Sequence, residues 1–594
     1  MTALGHHSSA PDVELLRAFE PVARFTRGEF FYPVSVKRYV QQATLWDDSG
    51  GQPTVAAAAG TLDLARLGDV ALAGRAGQLS ISGLGDATGE LRRQVLPRTE
   101  RPPRLRGSSR LASVGLSARL VDLGNRLSLL FRGSVPGGSA AQSFILQRDH
   151  LQPDQPTYYG RVLREEQWMV CQYWYFYAFN NWRSGFGGVN EHEGDWEQVT
   201  VYLDGTRATG SDQLPQPRWV AFSAHDETGD DLRRRWDDPD LTVVGSHPVV
   251  FVGAGSHSGA YRAGDYLVTV QPPRLVGVAA VLRALGRVFV PWATTARGGF
   301  GLPYVDYARG DGRGIGPGED DDWCRVVIDD ETGWVVDFPG LWGHDTRDRL
   351  GGERGPAGPR YERDGSVRAS WADPVGWAGL AKVAPNDAVE RSLLQERIVR
   401  IDQELARVDN QVRDGAERLG VEAAGTPPGR SAGGDLAVQE QQLHELRQAS
   451  VRLGDERRRV RRQLAGGLPP TGPHAHLSRR MTPIEAPRGA RGRLLSWWAV
   501  LSTPLILWAV GAVVYPTLGV AAVATAIAWV VLLMIIEGIV RGQFVAVLLR
   551  LVAAAILAIA LWWFVLDWRY VVSTVFFASA VMALGVNLRE AWRR

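Results

Sequence analysis

Hydrophobic positions change their period several times along the chain. From Trp168 to Phe179 the residues are apolar or aromatic except Gln172: Trp174, Phe176 and Ala178 share one parity, and Tyr173, Tyr175, Tyr177 and Phe179 the other. Such a run predicts a central strand buried on both faces. From Asp195 onward the alternation is regular. Asp195, Glu197, Val199, Val201 and Leu203 fall on one face; Trp196, Gln198, Thr200 and Tyr202 fall on the other. Further strands are predicted at Trp219–Ala224, Pro248–Ala254, Cys324–Ile328 and Trp334–Phe338, joined by turns rich in Gly, Pro and Asp. The pattern predicts a mainly β, sandwich-like soluble domain with long loops and small helices over residues 1–385, its β-sandwich core at about 165–345.

Beyond that domain the period lengthens. Leu394, Ile398, Ile401, Leu405, Val408 and Val412 follow steps of four and three, and Leu436, Leu443, Leu446, Leu453 and Val460 resume the register after a break containing Pro427-Pro428. Residues 387–466 therefore read as a helical coiled-coil hairpin of about 45 Å per arm. A parallel dimeric coiled coil interrupted at the break is the alternative, and would make self-association or a protein partner its role. A basic linker, 467–493, leads to a strongly apolar end. Four segments there, Leu494–Val514, Leu518–Ile536, Phe544–Leu566 and Val571–Val586, each approach the ~20 residues that cross a bilayer. Residues 494–590 thus predict a four-helix transmembrane domain. Arginines before the first segment, at Arg541 and Arg550, and after the last place both chain ends in the cytoplasm of a multi-pass cell-membrane protein.

Composition narrows the classes. The chain has 594 residues and a net charge of +2, so it has no global basic footprint for nucleic acid. Cys171 and Cys324 are its two cysteines, which excludes a disulfide framework and a cysteine zinc site. The first 27 residues contain no apolar run that would serve as a signal peptide.

The densest chemistry stands at the start of the regular strand, His192-Glu193-Gly194-Asp195-Trp196-Glu197. Two carboxylates on one strand face, at the mouth of an apolar row, need a cation or several donors. His192, in the turn entering the strand, folds back toward them. Two readings are open: a divalent metal on mixed nitrogen and oxygen ligands, or pairing to arginines with His192 capping a turn. Mostly oxygen ligands favour Ca²⁺, Mg²⁺ or Mn²⁺. Ser256, His257 and Tyr261, after the Pro248–Ala254 strand, are candidates for the opposite wall, with Trp196 and His225 as further ligand-contacting candidates.

Tyr173 to Asn180, His192 to Glu197, His247 to Val252 with Gly255-Ser256-His257, and Phe338 to Gly343 together resemble the vacuolar protein sorting-associated protein 62 family over roughly residues 15–380. That family implies no established biochemistry. One motif also resembles the necrosis-inducing toxin family, whose His-x-x-Asp-Trp-Glu segment on a β-sandwich binds a divalent cation that supports membrane recognition. His192, Asp195, Trp196 and Glu197 match it, Asn180 sits roughly where that family has an aspartate ligand, and Gly194 replaces a histidine. The resemblance implies a metal at His192, Asp195, Glu197 and Asn180.

Three functions follow as expectations. The first is a membrane-anchored module that binds a divalent metal and recognises a lipid, glycan or protein. The second is a coiled-coil membrane scaffold without metal function. The third is a metal-dependent hydrolase in which His192, His225, His257, Asp195 and Glu197 activate water.

Overall fold

The computed structural model describes residues 10–47, 53–69, 77–81, 119, 123, 151, 155–165, 167–181, 192–207, 214–223, 232–270, 302–344, 355–425, 433–466, 483–484, 489–514 and 520–591. The candidate His225 and most of the 467–493 linker lie outside these residues.

At the centre is a six-stranded sheet. Its strands stand in the order Cys324–Val327, Thr157–Glu165, Trp168–Asn180, His192–Asp204, Pro217–Phe222 and Arg233–Arg235. The Cys324–Val327 strand runs parallel to its neighbour and every other pair is antiparallel. The two central strands are each 13 residues long and buried throughout. Their alternating side chains feed two separate cores. Tyr173, Tyr175, Tyr177, Val199, Val201 and Leu203 enter one; Trp174, Phe176, Ala178 and Trp196 enter the other.

The first of these cores is closed by a second sheet. The Val22–Phe25 strand lies parallel to His247–Val252, with Gly314–Ile315, Val243–Val244 and Gly259–Ala260 completing it. Ala23, Phe25, Val250, Val252 and Ile315 pack from it onto the tyrosine face. The second core is closed by a mixed layer, in which the Val36–Gln42 helix and a three-stranded sheet supply Tyr39, Val40, Leu45 and Leu79, beside Trp334, Trp342 and Trp371.

The central sheet is therefore covered on both sides. Two layers would leave one aromatic face in water, so the patterning on both parities demands the third. The core also draws on Leu15, Phe19 and Tyr39 and on Trp371 and Leu380, outside the 165–345 span predicted for it. Trp334–Phe338, predicted as a strand, is instead a short helix, Gly333–Val336. Asp329 starts it by accepting bonds from Glu331 N–H and Thr332 Oγ1, an Asx-type turn.

The Asp387–Gly425 and Gly433–Gly466 helices pack against each other within one chain. Contacts Arg397–Glu456, Asp402–Arg457 and Asp409–Ser450 show them antiparallel, with Ile401, Val408, Leu443 and Val460 buried in the seam. The hairpin is fastened to the central sheet. Asn386 caps the first arm at Val389 N–H, and its amide donates to both oxygens of buried Asp204, the last residue of the His192–Asp204 strand. Burial works to raise the Asp204 pKa, but the bonds from Thr206, Asn386 and Arg218 outweigh it and leave it lowered.

The apolar end corrects the four-helix expectation. It forms three helices, Gly489–Val514, Val520–Arg541 and Phe544–Ala591. The third and fourth predicted segments are one continuous 48-residue helix, because Asp567-Trp568-Arg569-Tyr570 contains neither Gly nor Pro to break it. Among the described residues, one stretch, Phe544–Trp563, is long and apolar enough to cross a membrane.

Candidate functional site

The site forms where the two central strands end beside the loop that follows His247–Val252. Asn180 is the last residue of one strand and pairs with His192, the first of the next. Regular alternation would put Glu193 and Asp195 on one face. Gly194 interrupts it with a φ of +71°. Glu193 accordingly meets the mixed layer, accepting from Ser80 Oγ at 2.8 Å and from Ile81 N–H, while Asp195 meets the second sheet's loop. A Cβ at residue 194 would stand 2.0 Å from the Trp342 carbonyl oxygen, so a histidine has no room where Gly194 replaces one.

Asp195 Oδ2 accepts from Asn180 Nδ2 at 2.9 Å and lies 2.8 Å from His257 Nδ1. On its other side, His257 Nε2 is 3.8 Å from Glu29 Oε1. The imidazole is stacked on Tyr177, with ring centroids 3.8 Å apart and planes 1° from parallel. His257 itself has a φ of 56°, an unfavourable conformation for a residue with a Cβ, at the turn closed by His257 N–H to the Gly253 carbonyl. Glu29 pins this loop: Oε2 accepts from Gly255 N–H, and Oε1 from the N–H groups of Phe30 and Phe31. Glu197 accepts from Ser223 Oγ, which in turn accepts from Gln198 N–H.

Glu29, Asp195, Glu197 and His257 are all buried. Burial alone would depress the His257 pKa. Bonds and charge from Asp195 and Glu29 outweigh it and raise the imidazole to about 9. Burial likewise works to raise Glu29, while His257 and the N–H groups of Phe31 and Gly255 prevail and lower it. Tyr177 is pushed well above the usual phenol range by burial and by the nearby Tyr175, Glu197, Asp195 and Glu29.

The structure thus unites Asn180, Asp195 and His257, with Ser256 alongside: its carbonyl lies 3.4 Å from Asn180 Nδ2 and its buried hydroxyl has no partner. Glu197 shares the Asp195 strand but bonds Ser223. His192 is nearby, but its Nδ1 bonds the Gly194 carbonyl at 2.7 Å. Trp196 lies on the opposite face, packed among Phe176, Trp334 and Trp342. Tyr261 is a core residue, with the Arg234 guanidinium 3.6 Å over its ring. Glu29 is the residue that the sequence reading missed. Its signal is an acid set directly before Phe30 and Phe31, with no reason to enter an apolar run unless its charge is used.

The donor set suits a hard cation: carboxylate, amide and hydroxyl oxygens with one imidazole. In this arrangement Asp195 Oδ2 is engaged by Asn180 and His257. Among the described residues no group of three or more His, Cys, Asp or Glu stands in a metal-holding arrangement. A cation at Asp195 would therefore take the place of the His257 contact.

No family model matches the chain and no curated protein matches it, so the likeness to the vacuolar protein sorting-associated protein 62 family rests on the quoted residues alone. Among solved structures, a non-toxic HaNLP3 protein is similar at 18% identity over 18% of this chain, with a TM-score of 0.13. The match spans about half (49%) of that protein's length.

Proposed function

We propose that the β-domain is a cation-dependent recognition module carried on a membrane anchor. Its cation is Ca²⁺, Mg²⁺ or Mn²⁺, held by Asp195 and Glu197 with Asn180, and its ligand is a lipid headgroup, glycan or protein. The observation that carries this reading is buried Asp195, whose Oδ2 lies 2.9 Å from Asn180 Nδ2 and 2.8 Å from His257 Nδ1, with the unpartnered Ser256 hydroxyl in the same loop as His257. Buried carboxylates are costly unless compensated, and a divalent ion would bring two positive charges beside them. The cation would fix and polarise an incoming oxygen ligand, with Ser256 and His257 available on the facing loop. Membrane attachment rests on the apolar helices, of which Phe544–Trp563 is the candidate span.

Thermal unfolding of the detergent-solubilised chain tests the reading. A cation that binds the folded state raises Tm by mass action. Ca²⁺, Mg²⁺ or Mn²⁺ should raise the wild-type Tm over a chelator control and leave Asp195→Asn unmoved. Equal shifts in the two proteins would place any cation elsewhere.

A scaffold reading has one observation in its favour, the fastening of the long hairpin to the sheet through Asn386 and Asp204. It is the function that remains should the cation site fail.

A further inference from the structure

The apolar helices hold a second charged cluster, separate from the Asp195 site. Glu537, on Val520–Arg541, is 6% exposed. It accepts from three donors: Arg541 one turn on, Trp498 Nε1 on Gly489–Val514, and Arg119 from the distant N-terminal region. The Glu537–Arg541 pair is visible in the sequence as an i,i+4 pair; Arg119 and Trp498 are not.

Arg119 is the unsatisfied member of this cluster. Arg119 is 1% exposed, and its Nη2 is used by Glu537. Its Nε and Nη1 are buried without any partner. An arginine cannot shed its charge by losing a proton, and a buried N–H donor left unmade is costly. On the same helix as Trp498, the hydroxyls of Ser502 and Thr503 are also buried and unpartnered. Ser502 is one turn from Trp498 and shares the packing face of Leu495, Ala499 and Ile506. Each of these unpartnered groups can donate a hydrogen bond.

The geometry points to a phosphate-binding site at Arg119, between the first two apolar helices, that takes the phosphate of an anionic lipid headgroup or free phosphate. Its place favours this chemistry. Glu537 and Arg541 lie at the last turn of their helix, beside the connection to Phe544, which starts the candidate span; on the membrane anchor proposed above, that connection falls at a bilayer edge. Basic pockets between helices at that level suit anionic headgroups. One phosphate would give the Nε and Nη1 groups of Arg119 an acceptor.

The full-length chain in neutral detergent is incubated separately with phosphatidylglycerol, with phosphatidylcholine and with inorganic phosphate, and retained adducts are measured by native mass spectrometry. Wild type should retain phosphatidylglycerol, and Arg119→Gln should reduce retention at least tenfold. Glu537→Gln removes the competing carboxylate, so its retention should match or exceed wild type. Inorganic phosphate that binds and displaces the lipid identifies free phosphate as the ligand; lipid retained against excess phosphate identifies the headgroup. Phosphatidylcholine retained equally, and lost in Arg119→Gln, shows that the site reads the phosphate itself. No retention of any probe, unchanged retention in Arg119→Gln, or equal loss in Glu537→Gln would overturn the site.

Discussion

His257 connects the sheets electrostatically, and its behaviour with pH follows from its two neighbours. Its pKa is raised from the ordinary 6.5 to about 9, whereas that of Glu29 is lowered from 4.5. A raised imidazole pKa contributes stability that is complete below about 6.5 and disappears as pH rises through about 9. The lowered Glu29 pKa contributes stability that is present above 4.5 and lost as pH falls. In chelator, Tm should therefore be highest between about 4.5 and 6.5 and decline toward pH 9. His257→Gln should flatten the alkaline decline; an unchanged decline would mean that other groups cause it. Gly194 offers a second test at this scale. Ala there would combine a φ of +71° with a Cβ 2.0 Å from the Trp342 carbonyl. Gly194→Ala should cost about 2 kcal/mol or more in denaturant unfolding, since backbone on both sides must shift. A loss below about 0.5 kcal/mol, the range of an ordinary surface change, would show that Gly194 does not set the turn.

Two elements carry predictions of their own. The long helices are joined across their seam by Arg397–Glu456 and Asp402–Arg457 within one chain. Spin labels at Ile398 and Val460 should give the same short distance when labelled chains are diluted with unlabelled ones. A distance that vanishes on dilution would restore the dimeric coiled coil. The Phe544–Ala591 helix is about 72 Å long at 1.5 Å per residue, more than twice the ~30 Å of a bilayer core. Cysteine scanning along it in membranes should find one protected window over Phe544–Trp563. Two protected windows flanking a reachable 567–570 would restore two crossings.

Across the whole molecule, what the sequence disclosed depended on distance along the chain. The central strands were legible because Tyr173 to Phe179 is a continuous apolar run and the residues from Asp195 to Leu203 sort onto two faces, and both patterns are local properties. The third layer was not, because Tyr39, Trp342 and Trp371 reach the Trp174 face from remote segments. Trp334 misled through its apolar neighbours, since the deciding interaction is the Asp329 turn before it. Asp195 was a candidate from its strand face, His257 from its place after a predicted strand and Asn180 from a resemblance, yet Glu29 needed the parallel pairing of Val22–Phe25 with His247–Val252 to reach them. Gly194 was opaque for the same reason: the Trp342 carbonyl, remote in sequence, occupies the space a side chain there would need.

The cation site itself is tested most directly by calorimetric titration of the full-length chain with Ca²⁺, Mg²⁺ and Mn²⁺. The proposed site predicts saturable binding of at least one ion to wild type and none to Asp195→Asn, with the far-ultraviolet β signal of the variant unchanged. No binding of any of the three ions to wild type at millimolar concentration would contradict it and leave Glu29, Asp195 and His257 as a structural ion-pair cluster between two sheets.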